Sequence, residues 1–321
     1  MLMSLLLRAL PRAERYVLLE RLGRGGAAEA WRARREGGLL VEEVCVKRPL
    51  FSLSGEQRRA LVEEARLLSR VRHANVVSLL DALEDDSGGI FLVLELVRGV
   101  DLRALSRALC ARGERTSPAL VAAIGVALCR ALAAAQRSLP AGLVHRDVTP
   151  HNVLLSAEGE IKLADFGIAR ALDRERWTRA GVVKGKTAYV SPELLRGEEL
   201  DVRSDLFSVG VLLYELLTGQ RPFGDGSQIS TLHAIATGAR LPLTRAAPHA
   251  PARLTRVVEQ FLAPECSRRP PSADLAGRLL APCAGDQLAI DELRRLVRSA
   301  RGPGLVSGRP ARAGALELDR R

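Results

Sequence analysis

The sequence predicts an α+β protein in two parts, a small antiparallel β-sheet with one helix, then a larger, mainly α-helical region. Three observations carry this. Residues 16–48 alternate apolar and polar side chains around a glycine-rich turn and the Gly37–Gly38 turn, the two-residue period of half-buried strands. Residues 54–72 place Leu61, Ala65, Leu68 and Val71 on one helical face behind Ser54, a residue suited to capping a helix start. Beyond Gly99 long helical patterns replace the alternation.

In order, residues 16–48 make three strands and residues 54–72 a helix. Val76–Leu83 and Ile90–Leu96 form two more strands across the Asp85–Gly89 turn. Pro118–Arg137 is apolar nearly all round, which marks a buried helix. Asp205–Leu217 is a further helix closed by Gly219 and Pro222, and shorter helices fit 227–237, 251–262, 272–280 and 286–300. The domain reading is an N-terminal arm over 1–15, a small lobe over 16–97, a large lobe over 98–282, and a terminal helix with a disordered basic tail over 283–321. Two such lobes leave a cleft between them, the usual place for a small-molecule site.

Bulk properties narrow the function. The net charge is +11, yet aromatics make up only 3% and no block of five basic residues occurs, so a nucleic-acid partner is not expected. Nearly all basic residues are arginine; lysine stands only at 47, 162, 184 and 186, which makes each one informative. Cysteines 45, 110, 129, 266 and 283 show no metal-ligand spacing and are expected as reduced, mostly buried thiols of a cytoplasmic protein. No uninterrupted apolar run is long enough for a membrane span, and the first residues lack the pattern of a signal peptide.

The chemistry concentrates in three places. Leu22-Gly23-Arg24-Gly25-Gly26-Ala27-Ala28-Glu29-Ala30 lies between two strands, where glycines let backbone N–H groups approach phosphates. Lys47 ends the third strand, and Glu64 on the next helix can pair with it; Glu64 and Leu68 share a face by their i, i+4 spacing, which favours Glu64 over Glu63. Then comes His145-Arg146-Asp147-Val148-Thr149-Pro150-His151-Asn152, followed by Asp165-Phe166-Gly167.

These motifs, in this order and at this spacing, resemble the bacterial eukaryotic-like (Hanks-type) serine/threonine protein kinases over roughly residues 16–282. The resemblance implies a bilobal kinase fold and transfer of the γ-phosphate of ATP, with Mg²⁺, to protein hydroxyls. Asp147 would be the catalytic base, Lys47 with Glu64 would hold the α/β-phosphates, and Asn152 and Asp165 would be the metal ligands. The glycine-rich residues 22–30 would cover the nucleotide. The backbone at Glu95 and Val97 would pair with adenine beside Leu94, Asp101 would reach the ribose, and Leu22, Ala30, Cys45 and Leu154 would sandwich the base. Ser191-Pro192-Glu193 matches the end of the activation segment, Glu193 would pair with Arg269, and Asp205 would brace the catalytic loop.

Three departures stand out. Ala28 replaces the third loop glycine, Thr149 the catalytic-loop lysine, and Lys186 the threonine after Gly185. The last two read as an exchange in which Lys186 brings the ammonium and Thr149 the hydroxyl; a solvated or substrate-contacting Lys186 is the alternative. Arg146 beside Asp147 suits control by activation-loop phosphorylation, with Thr178 favoured over Thr187 and Ser191. A pseudokinase scaffold is the competing function, against which Lys47, Glu64, Asp147, Asn152 and Asp165 are all present.

Overall fold

The computed structural model describes residues 15–25, 28–36, 41–50, 54–84, 89–138, 143–166, 187–224, 227–285, 287–300 and 317–319. They fall into two compact units. One gathers residues up to Ser69, Ser78–Leu96 and the C-terminal strand; the other holds Arg70–Val77 and everything from Val97 through the last helix.

The smaller unit is built on strands β1 (Arg15–Arg24), β2 (Ala28–Glu36) and β3 (Glu42–Pro49), helix α1 (Gly55–Leu68), and strands β4 (Leu79–Glu84) and β5 (Ile90–Glu95). Val44, Val46, Phe91 and Val93 alternate onto one sheet face, where they pack with Tyr16, Leu18, Ala33 and Leu83. Burial of one such side chain is worth roughly 1.5–3 kcal/mol. Helix α1 starts at the expected cap: the Ser54 hydroxyl accepts from the Gln57 N–H at 3.3 Å, and Gln57 Oε1 accepts from the Ser54 N–H at 3.0 Å. This reciprocal pair satisfies two otherwise orphaned donors. Val76, expected to open β4, instead makes an isolated bridge to Leu163 of the larger unit.

The larger unit opens with β6 (Gly99–Asp101), followed by α2 (Leu102–Arg112), α3 (Pro118–Arg137), β7 (Val153–Ser156) and β8 (Ile161–Leu163). A 3-10 turn at Thr187–Tyr189 leads to α4 (Pro192–Leu195), α5 (Val202–Thr218), α6 (Gln228–Thr237), α7 (Leu243–Ala246), α8 (Ala252–Phe261), α9 (Ala273–Leu280) and α10 (Gln287–Ala300). By length and composition α3 could cross a bilayer, but most of it is buried inside the unit, so it is a core helix here. Its main neighbours are α5 and α9. Helix α5 begins three residues ahead of expectation, because Asp201 caps it by accepting from the Arg203 N–H at 2.7 Å.

Strand β9 (Glu317–Asp319) pairs antiparallel with β1, so the larger sheet runs β4-β5-β3-β2-β1-β9. The residues before it, 301–316, expected as a disordered tail, lie outside the described residues. The terminal helix α10 belongs to the larger unit rather than to a separate segment. Of the cysteines only Cys129 is buried, and Cys110 is exposed, which corrects the expectation of mostly buried thiols. Burial pushes the Cys129 thiol up to about 12, leaving it inert.

The β6–β7–β8 sheet depends on one close approach. A Cβ built on Gly99 would sit 1.7 Å from the Leu155 carbonyl oxygen, a backbone atom that cannot swing aside. Gly99→Ala is therefore expected to cost about 3 kcal/mol of stability, read by denaturant unfolding; a loss under about 0.5 kcal/mol contradicts this packing.

Candidate active site

The residues from His145 to Phe166 form one hydrogen-bonded assembly in the larger unit. His145 is fully buried. Its Nδ1 accepts from the Asp147 N–H at 3.2 Å and its Nε2 lies 2.9 Å from the Ala164 carbonyl oxygen. Those partners assign the proton to Nε2. The ring also packs edge-on against Phe166, 4.5 Å between centroids. A histidine at this position thus ties the loop before Asp147 to the segment before Asp165.

Asn152 immediately precedes β7, and Asp165 follows β8 by two residues. The Asn152 carbonyl accepts from the Ala164 N–H at 2.8 Å, which joins the two segments. The Asn152 Nδ2 donates to the Asp147 carbonyl at 2.8 Å and to Asp147 Oδ2 at 3.0 Å. With its nitrogen so committed, the amide presents its oxygen away from Asp147. That oxygen and the Asp165 carboxylate are hard donors of the kind Mg²⁺ takes alongside phosphates and water, so the donor set fits the metal. Arg146 and Asp165 hold left-handed backbone, φ 68° and 63°; among the described residues no other non-glycine does so. Such conformations persist where the surroundings impose them, commonly at functional sites.

At Arg146 the imposing group is Asp205, in the first turn of α5. Its Oδ2 accepts from the His145 N–H at 2.7 Å and its Oδ1 from the Arg146 N–H at 2.8 Å. Burial pushes the Asp205 carboxyl above the ordinary aspartate range, while His145 and the two amides pull the other way. The brace expected from the sequence is present.

A second buried pair locks the other end. Arg269 Nη1 and Nη2 donate to Glu193 Oε1 and Oε2 at 2.7 and 2.9 Å, with the two side chains 0% and 2% exposed. Arg269 also donates to the carbonyls of Ala263 and Arg203 and stacks 4.9 Å over Phe207. Burial raises the Glu193 carboxyl, but the bidentate Arg269 bonds and charge outweigh it and leave the pKa below the ordinary glutamate value.

Thr149 is buried, and its hydroxyl has no partner among the described residues. It lines a small pocket with Asp147, Val190, Leu194, Leu200 and Ser204. Lys186 and Thr178 lie outside the described residues, as do Gly26 and Ala27.

Asp101 does something that its sequence reading did not assign. Its Oδ1 accepts from the Ala104 N–H at 2.6 Å, capping α2, and its Oδ2 lies 3.7 Å from His151 Nδ1. The Asp-Leu-Arg-Ala run carried that signal. Val97 follows β5 by two residues, and Leu154, half-buried, sits on β7.

In the smaller unit the register Ala30↔Lys47↔Leu92 and Arg32↔Cys45↔Leu94 puts Lys47, Ala30 and Cys45 on one sheet face. That face is opposite the Val44–Val46 core, so Lys47 points away from the hydrophobic cluster rather than into it. Gly25 N–H donates to the Ala28 carbonyl at 2.8 Å across the glycine-rich turn. Ala28 keeps ordinary negative φ, which removes the need for a glycine there. Leu22, Gly23, Arg24 and Gly25 are exposed, whereas Glu29 is buried against Arg48 of β3 and serves the sheet. Glu63 faces solvent and pairs with Arg66; the Glu64 side chain lies outside the described residues. The Glu95 N–H donates to the Ser78 carbonyl, and the Glu95 side chain accepts from the Ser78 N–H at 2.8 Å.

The family model for the protein kinase domain matches residues 16–278. The chain belongs to the protein kinase family. Among curated proteins this kinase chain is similar to tyrosine-protein kinase MasK of Myxococcus xanthus, 33% identical over 267 residues, covering 81% of this chain and 41% of MasK. It is also similar to serine/threonine-protein kinase PknL of Mycobacterium tuberculosis, 41% identical over 224 residues, covering 67% of this chain and 52% of PknL. Among solved structures it resembles the PknI kinase domain of M. tuberculosis, with TM-score 0.63, 25% identity, and coverage of 84% of this chain and 96% of that one. The chain spans about half the length of the curated relatives it matches.

Arg269→Ala leaves the Glu193 carboxylate buried without its partner and is expected to cost about 3–5 kcal/mol. Because the folded pKa of Glu193 is depressed, its stabilisation is complete above the unfolded value and is lost as pH falls through the lower folded value. The gap between wild type and variant should therefore stay full from neutral pH down to about 4.5, the ordinary glutamate value, and shrink as pH falls below it. Denaturant unfolding across that range checks both; a gap constant with pH contradicts the assignment.

Proposed function

We propose that this chain is a protein kinase that transfers the γ-phosphate of Mg-ATP to serine or threonine hydroxyls of protein substrates and of itself. The observation that carries the reading is the catalytic loop. Asp147 directly follows Arg146, whose backbone is left-handed, with one oxygen of its carboxylate held by Asn152 and its N–H held by His145. A base that takes a proton in the transition state needs such fixed placement.

In this reading Asp147 receives the proton of the substrate hydroxyl as its oxygen attacks the γ-phosphorus, and the bond to the leaving ADP oxygen breaks. Asn152, through its amide oxygen, and Asp165 hold Mg²⁺. When bound, the metal neutralises charge on the phosphate oxygens. Lys47 supports the α/β-phosphates with Glu64, and Gly23–Ala30 lies over them. Since the Glu95 N–H is engaged with Ser78, the bond to adenine at that residue uses its carbonyl, with Val97 as the second backbone partner. Asp101 keeps Oδ2 toward the ribose, and Leu22, Ala30, Cys45 and Leu154 contact the base.

The exchange of Lys186 for the missing catalytic-loop lysine also stands as a proposal. The unpartnered Thr149 hydroxyl beside Asp147 supports it. Thr178 is the proposed autophosphorylation site, with Arg146 as the receiver of its phosphate. The five free cysteines fit a reducing, cytoplasmic setting. A tyrosine acceptor is the second reading, favoured by the name of the MasK relative; Val148-Thr149-Pro150-His151 lacks the Ala-Ala-Arg or Arg-Ala-Ala run typical of tyrosine kinases.

Transfer of labelled γ-phosphate to a general protein substrate, with phosphoamino-acid analysis, tests the function. Asp147→Asn is expected to lower turnover by about 10²–10⁴-fold while ATP still binds. Undiminished labelling in that variant, or none in the wild type, rejects the kinase reading; labelled phosphotyrosine alone moves it to the tyrosine class. Lys186→Met should cut turnover with ATP affinity little changed, and full activity there sinks the exchange.

A further inference from the structure

Helix α10 follows the span that the kinase family model covers, yet it is packed into the larger unit. Ala289, Leu293, Leu296 and Val297 form its buried stripe, and its neighbours are α2, α3, β6 and β7. Three polar anchors fix it. Glu292 accepts from the Ser117 N–H at 2.9 Å and from the Ser117 hydroxyl, completing the cap of α3. Arg112, the last residue of α2, donates to the Ser299 hydroxyl at 3.2 Å. Arg294 Nε donates to the Glu158 carbonyl at 2.8 Å.

The third anchor holds the turn between β7 and β8. Gly159 there has φ +91°, and a Cβ on it would lie 2.7 Å from Ile290 Cγ2 and 3.2 Å from Arg294 Nε, so α10 rests directly on the turn backbone. That turn is one end of a hairpin whose other end carries Asn152 and Asp165, about 13 Å away along four residues of strand. Strand β6, paired with β7, leads into the Asp101 cap of α2. One helix therefore grips both the far end of the hairpin and, through Arg112, the far end of α2.

We propose that α10 is a positioning element for the metal-binding end of the site: by clamping the Ser156–Glu160 turn through Ile290 and Arg294, it sets the register of the hairpin that presents Asn152 and Asp165. Whatever pulls on the chain beyond Ala300 then acts on metal and nucleotide affinity. This rests on the reading of Asn152 and Asp165 as the metal ligands. Arg294 is partly exposed and sits at the helix surface, so its loss leaves the core stripe intact.

Hydrogen exchange of the metal-free full chain tests the clamp. Arg294→Ala should speed exchange at residues 153–164 and leave α5 residues 206–217 unchanged, and Arg294→Lys should restore the protection. Unchanged exchange, or a uniform rise across both regions, overturns the proposal. In parallel, the Mg²⁺ concentration for half-maximal ATP binding should rise about tenfold in Arg294→Ala, with kcat at saturation retained. A half-point that stays put in Arg294→Ala but moves in Asn152→Ala also overturns it. If Asn152→Ala leaves the half-point unmoved, the ligand reading falls instead, and the exchange pattern alone judges the clamp.

Discussion

A buried carboxylate that accepts two consecutive backbone N–H groups is the contact on which the larger unit's chemistry depends. Asp205 does this for His145 and Arg146, and the second of these residues sits at a φ that an L side chain resists. Such a conformation costs on the order of 1–3 kcal/mol by itself. Two short bonds to a desolvated acceptor offset that cost, and the loop is delivered to Asp147 already bent. The same helix carries further supports: Ser208 donates to the Tyr189 carbonyl, and Glu215 takes the Tyr189 hydroxyl and a bond from Arg103. Helix α5 is thus a post to which the catalytic loop, the turn at Thr187–Tyr189 and α2 are each tied by a separate polar bond.

Much of this was readable from residue order because it rests on local rules. Helices with a side-chain cap came out within a residue or two, as for α6, which Gly238 also stops, and α9, which starts at its Ser272 cap, since cap chemistry is written in a few adjacent positions. The pairing of Glu193 with Arg269 and the brace from Asp205 came from the kinase resemblance, and the geometry places both. The strands β6, β7 and β8 were missed. Runs of three or four residues are too short to show a period, and their sheet exists because Gly99 lets two backbones touch. Asp101 illustrates a different gap: a residue with one family role in view was also a helix cap, and one carboxylate has room for both. The strand alternation gives the interior to Val44 and Val46 and turns Lys47 to the other face.

The polar groups around Asp147 are sorted by commitment. His145 spends one ring nitrogen on the Asp147 N–H and the other on the Ala164 carbonyl. Asn152 spends its nitrogen on Asp147, which orients its oxygen. Thr149, standing where the family has a lysine, spends nothing on the described residues. Side chains that are fully bonded in the protein act as scaffolding, and a buried group that is not fully bonded marks where something else must arrive.

Strand β9 covers part of an edge that a sheet cannot leave open without consequence. Along β1, one row of N–H and C=O groups pairs with β2, and the other row would face outward; Glu317–Asp319 occupies it at Arg15, Tyr16 and Val17. Uncovered edges recruit strands from other molecules. Three residues near the C-terminus therefore bear on how this protein behaves at high concentration, as a dispersed solute or as a self-adhering one, quite apart from its chemistry.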